Sequence, residues 1–141
     1  MKVYIAGKIG EEVISEATRQ KFARAEEMLK AKGYEVFNPC DERWQKVLER
    51  EYENDRYVKS PWVTGKFPGF YAYTLLRDLM VLSTKDAVYF LEDWDKSPGA
   101  GCEHSFAMAT GKKMLWQRLE DAQVFHDDDE TEEDVWLPID M

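Results

Sequence analysis

The chain reads as an α/β protein built on a parallel sheet, on two observations. Short apolar runs alternate with longer amphipathic stretches, and no internal repeat or Pro/Gly/Ser-rich linker breaks the alternation. The first two strand signals are separated by roughly thirty residues, the length of a strand, helix and strand in a right-handed crossover.

The elements follow in order. "KVYIA" (2–6) is an apolar strand stopped by Gly7. "SEATRQKFARAEEMLKAKG" (15–33) places Phe22, Ala25, Met28 and Leu29 on one helical face and ends at Gly33. "YEVFNP" (34–39) is a second strand closed by Pro39. From Asp41 to Phe70 the chain is polar, aromatic and poorly periodic, which suggests a short helix and then a loop holding Pro61, Gly65, Pro68 and Gly69. That loop has two readings, a lid or an ordinary surface excursion. "FYAYTLLRDLMVLST" (70–84) is helical by its leucines, "DAVYFL" (86–91) is a buried strand, "AGCEHSFAMATG" (100–111) a helix and "KKMLWQ" (112–117) the next strand.

Composition bounds the function. A chain of 141 residues supports one domain with a core, and 44% hydrophobic residues make it globular. No run of about 18 apolar residues offers a membrane span. "MKVYIAG" reads as a strand rather than a targeting segment, so a cytoplasmic protein is expected. Cys40 and Cys102 are too far apart for a CxxC motif and are expected as two lone interior thiols. No His/Cys/carboxylate spacing converges on a metal site, and no cofactor is expected. The net charge is -9, and seven of those charges come from "DDDETEED" (127–134), which has no base. The organisation expected is therefore a domain over 1–120 and an acidic C-terminal tail over 121–141, either solvated or used for docking. Without a basic stripe to neutralise phosphates, a nucleic-acid polymer is not a partner.

Two acids stand out. Asp78 has Leu75, Leu79 and Leu82 around it, and a carboxylate rising from an apolar patch needs a partner, such as Arg77, or a task. Glu103 follows "SPGAG" at the start of a helix, where the positive end of the helix dipole favours its ionised form. It is either a nucleophile or a stabiliser of the helix start. In open α/β sheets ligands bind beyond the carboxyl ends of the strands, and the loops "AGKIG" and "EDWDKSPGAGCE" both belong to that edge. Ser97 before Pro98 forms a cap and first-turn pair, so the helix amides and the hydroxyl suit a phosphate; the plainer alternative is that Ser97 only caps. Gly99 and Gly101 let a backbone pass close to a ligand. His104 is expected on the outer helix face, since adjacent helical residues diverge, and His126 has no role. Trp44, Trp62, Phe67 and Tyr71 are either core or stacking surfaces for a base.

"MKVYIAG", "YTLLRDLMVLSTKDAVYFLEDW" and "SPGAGCEHSFAMATGKKM" together resemble the nucleoside 2-deoxyribosyltransferase-like superfamily. The similarity is to its small phage and bacterial members of unassigned function and to its deoxynucleoside 5'-monophosphate N-glycosidase branch. It spans roughly residues 1–116, most firmly 1–7 and 70–116. The resemblance implies a flavodoxin/Rossmann-like parallel sheet of four to five strands flanked by helices. It implies an N-glycosidase (a hydrolase) or a deoxyribosyltransferase, with Glu103 as the nucleophile toward C1' and Asp78 handling the base or the leaving-group proton. Transferases of unphosphorylated nucleosides carry an aspartate where Ser97 stands, whereas the monophosphate N-glycosidases carry serine, so a nucleoside 5'-monophosphate is the substrate expected. Lys8 supplies a cation near the same crevice, or is a solvated surface charge; Gly7, Lys8, Ser97, Gly99 and Gly101 form the substrate-binding set. Gly10 stands where the monophosphate branch has an arginine resembling a phosphate clamp. The superfamily completes its site with a neighbouring subunit, so a homodimer or higher homo-oligomer is expected, with a small-molecule nucleoside or nucleotide as ligand. Two alternatives remain: a non-catalytic nucleotide-binding or nucleotide-sensing module, and cleavage of the ribosyl bond of another metabolite such as a nicotinamide nucleotide.

Overall fold

Alternation along the first strand decides the layers. In β1 (Lys2–Ala6) Val3 and Ile5 pack to one side and Tyr4 and Ala6 to the other, all four buried. A strand that is apolar on both faces belongs in the middle of a sheet covered on both sides. The computed structural model describes residues 1–10, 13–54 and 69–139 and places β1 there. With β2 (Glu35–Phe37), β3 (Ala87–Phe90) and β4 (Lys113–Trp116) it forms a four-stranded, all-parallel sheet in the order β2-β1-β3-β4. This is a Rossmann-like α/β fold with the strand order of a flavodoxin-type sheet.

The two faces are covered by different helices. α1 (Glu16–Ala31), capped by Ser15, buries Phe22, Ala25 and Leu29 against Val3, Ile5, Tyr89 and Leu115. On the other face α3 (Phe70–Ser83), α4 (Pro98–Ala109) and α5 (Leu119–Phe125) contribute Leu82, Ala107 and Ala122 to a core with Tyr4, Val88, Phe90 and Trp116. α2 (Glu42–Glu53) lies against α3 and buries Leu48. The segment read as either a lid or a surface excursion, with Trp62 and Phe67, lies outside the described residues. Among the described residues no helix is long and apolar enough to cross a membrane.

The C-terminal segment is bound to the sheet. α5 starts at Leu119, so the boundary expected after residue 120 falls inside a helix, and Asp121, Ala122 and Val135 are buried. Beyond α6 (Glu132–Val135), Trp136 makes a parallel bridge to Trp116, the Leu137 N–H donates to the Trp116 carbonyl at 2.8 Å, and the Tyr89 hydroxyl donates to the Leu137 carbonyl at 2.5 Å. This stub of a fifth strand covers the free edge of β4. The acids of 127–134 stay exposed, apart from half-buried Glu130. One expectation about the thiols is corrected: Cys40 is buried, but Cys102 is exposed, on the solvent side of α4.

Candidate active site

The strand order reverses between β1 and β3, and the loops leaving those two strands meet at that point. Gly7 makes the meeting close, because a Cβ there would stand 2.6 Å from Leu91 Cδ1. The loop then turns at Gly10, whose φ of 52° is the left-handed region. Above it α3 presents Tyr71, Thr74, Leu75 and Asp78, a stripe at helical spacing, and α4 presents Gly99, Ala100 and Glu103. Together with Lys8, Lys96 and Ser97 these residues line a cavity of about 610 Å³, within the usual range for a small-molecule site.

Both acids singled out in the sequence line this cavity, each only 7% exposed. Asp78 does not pair with Arg77. The Arg77 guanidinium donates to Glu51 at 2.9 and 3.1 Å, which also accepts from the Tyr73 hydroxyl, while Asp78 accepts a hydrogen bond from Trp44 Nε1 at 2.9 Å. Burial pushes the Asp78 carboxyl up to about 7, opposed by the Trp44 bond and the Arg77 charge. Burial likewise pushes Glu103 up to about 8; the Tyr4 hydroxyl opposes this and the Asp78 charge adds to it. The expectation that the helix start keeps Glu103 ionised is thus corrected. Glu103 sits in the second turn of α4, where the dipole effect has faded, and desolvation outweighs it.

Of the expected binding set, Gly7, Lys8, Ser97 and Gly99 line the cavity, whereas Gly101 does not, and a side chain at Gly101 would meet nothing. Ser97 Oγ accepts from the Ala100 N–H at 3.2 Å, so it caps α4, and its own hydroxyl hydrogen remains able to donate toward the cavity. Lys8 and Lys96 are exposed at its rim. His104 is not on an outer face. It is buried beside Phe90, Trp94, Trp116 and Phe125, stacked on Trp94 at 4.6 Å, and burial lowers its pKa. Adjacent residues do diverge; Glu103 faces the cavity and His104 the aromatic core behind it.

Sequence reasoning missed three contributors. The Thr74 hydroxyl oxygen lines the cavity, buried with no hydrogen-bond partner among the described residues, and the buried Tyr4 hydroxyl lies close enough to Glu103 to stabilise its carboxylate. Lys96 adds a second ammonium. Thr74 was legible as the residue one helical turn before Asp78; Tyr4 was not, because only the packing of α4 on the sheet brings it to Glu103. Among the described residues no group of three or more His, Cys, Asp or Glu side chains converges as a metal site.

Fold and site define a class: a flavodoxin-ordered α/β protein with two buried carboxyls in a cleft at the switch point of its sheet. The chain belongs to the family described as a domain of unknown function, DUF4406, which matches residues 1–116. In three dimensions it is similar to a 2-deoxyribosyltransferase from the psychrotolerant bacterium Bacillus psychrosaccharolyticus, with a TM-score of 0.52 and 15% identity over 100% of both chains. At that identity the likeness is one of fold. Comparison with curated proteins gives no match.

Proposed function

We propose that the protein cleaves the N-glycosidic bond of a (deoxy)nucleoside 5'-monophosphate, as an N-glycosidase or a deoxyribosyltransferase. The observation that carries this reading is the pairing of two buried, electrostatically coupled carboxyls with a cationic, helix-capped rim in one cavity. The shared fold with a 2-deoxyribosyltransferase supports the reaction class.

In this mechanism the Glu103 carboxylate attacks C1' and forms a glycosyl ester as the C1'–N bond breaks. The bonding pair leaves on the base nitrogen, and protonated Asp78 donates its proton to the departing base. Water or a second base then attacks C1', releasing the Glu103 carboxylate and returning a proton to Asp78. Catalysis needs Glu103 ionised and Asp78 protonated. Burial of both carboxyls, together with the Asp78 charge, biases the resting site against an ionised Glu103. A developing positive charge on the sugar stabilises the Glu103 carboxylate and offsets that bias. The phosphate is received by the Ser97 hydroxyl, the Gly99 N–H in the first turn of α4, and the ammoniums of Lys8 and Lys96, with Gly7 and Gly99 allowing close approach.

A second reading, a nucleotide-binding module without turnover, is favoured by one observation: the Glu103 carboxyl is buried, and desolvation opposes the ionised form that a nucleophile needs. The two are separated by incubating wild type and Glu103→Gln with deoxynucleosides and with deoxy- and ribonucleoside 5'-monophosphates, and following free base by chromatography. Release by the wild type alone, from monophosphates above nucleosides, is the expected result. Binding by calorimetry with no release from any compound supports the module, and equal release by both proteins removes Glu103 from the mechanism.

A further inference from the structure

One ion pair next to the cavity has no part in that chemistry. Lys21 of α1 and Asp93, in the segment after β3, do not line the cavity. They meet instead on the backbone of Lys8. Asp93 Oδ1 accepts the Lys8 N–H at 3.0 Å, Asp93 Oδ2 accepts from Lys21 Nζ at 2.5 Å, and the same ammonium donates to the Lys8 carbonyl at 2.8 Å. Both backbone groups of a single residue are therefore held by one ion pair, drawn from elements 72 positions apart in sequence.

The loop has reason to need such a hold. Gly7 and Gly10 stand on either side of Lys8 and Ile9, and glycine contributes little conformational preference of its own. The pair is partly exposed, at 29% and 22% for the two side chains, so it adds little to global stability and its effect is local. It also has an electrostatic consequence. The Asp93 carboxylate lies beside a rim that is to receive an anion, and Lys21 neutralises it there.

We propose that Lys21 and Asp93 are positioning residues, which fix the loop carrying Lys8 so that its ammonium faces the cavity and the 5'-phosphate of the substrate. The inference rests on the monophosphate reading above. Its test uses the full chain as wild type, Lys21→Met and Lys21→Arg. Amide hydrogen exchange at Lys8 is measured without ligand, and binding of a deoxynucleoside 5'-monophosphate and of the matching nucleoside is measured by calorimetry. Lys21→Met is expected to speed exchange at Lys8 at least tenfold while amides of β1 and α1 keep their rates. It should weaken the monophosphate about tenfold without changing the nucleoside, and Lys21→Arg should restore both readouts. Unchanged exchange at Lys8 in Lys21→Met overturns the clamp, and equal weakening of the two ligands overturns its role toward the phosphate. Wild-type protein that binds no monophosphate sinks the substrate reading and this inference with it. The first two failures show in the variant and the last in the wild type.

Discussion

Glu103 and Asp78 are buried against the preference of their charge, and that has a price in stability that can be measured. Both carboxyls titrate above their ordinary range, at about 8 and about 7, so between about pH 4 and those values the folded chain holds protons that the unfolded chain has released. The stability they contribute is present below about pH 4 and is lost as the pH rises through 7 and 8. Replacing either acid by its amide removes that loss while keeping the shape, and Asp78→Asn retains an acceptor for Trp44 Nε1. Glu103→Gln is therefore expected to melt about 5 °C above wild type at pH 8.5, with the gain gone at pH 5. Thermal scans across that range decide it, and a constant difference at both pH values contradicts buried, strained acids. The sequence announced these two residues because a carboxylate among leucines, and another after a glycine-rich cap, are conspicuous locally. It could not announce their protonation, which depends on how completely α3 and α4 close over them.

At the scale of elements, α4 does two things at once. Its N-terminus is closed by Ser97, and the same hydroxyl lies at the cavity. Aspartate caps helices as well as serine does, so Ser97→Asp separates the two roles. The expected outcome is unchanged thermal stability with affinity for a nucleoside 5'-monophosphate reduced tenfold or more and affinity for the unphosphorylated nucleoside retained; calorimetry with the matched pair reads it. Loss of both affinities together, or a lower melting temperature, assigns Ser97 to capping alone. Elements of this kind were legible because each carries its own punctuation: Gly7 after β1, Gly33 after α1, Pro98 at the first position of α4. The C-terminal segment was not, because its acids read as solvated while the residues that bind it to the sheet, Val135, Trp136 and Leu137, are few and meet Trp116 and Tyr89 across long sequence separation. His104 was misplaced for a related reason. Its divergence from Glu103 was readable, but the aromatic cluster that receives it is assembled from β3, β4, α5 and the turn at Trp94.

At the scale of the molecule, the parallel sheet sets the place of the chemistry. Its order brings the turns after β1 and β3 to one edge, and α3 and α4 add one acid each above them. No single segment holds the site, which is why an isolated motif in this chain is weak and the combination is informative. On the proposed mechanism this arrangement makes Glu103 a nucleophile, and a nucleophile leaves a covalent bond that can be looked for. Wild type and Glu103→Gln would be mixed with a deoxynucleoside 5'-monophosphate, quenched in acid within the first turnover, digested and analysed by mass spectrometry. One 5-phosphodeoxyribosyl unit is expected on the wild-type peptide that contains Glu103, and none on the variant. Release of free base with no adduct, undiminished in Glu103→Gln, would contradict the mechanism.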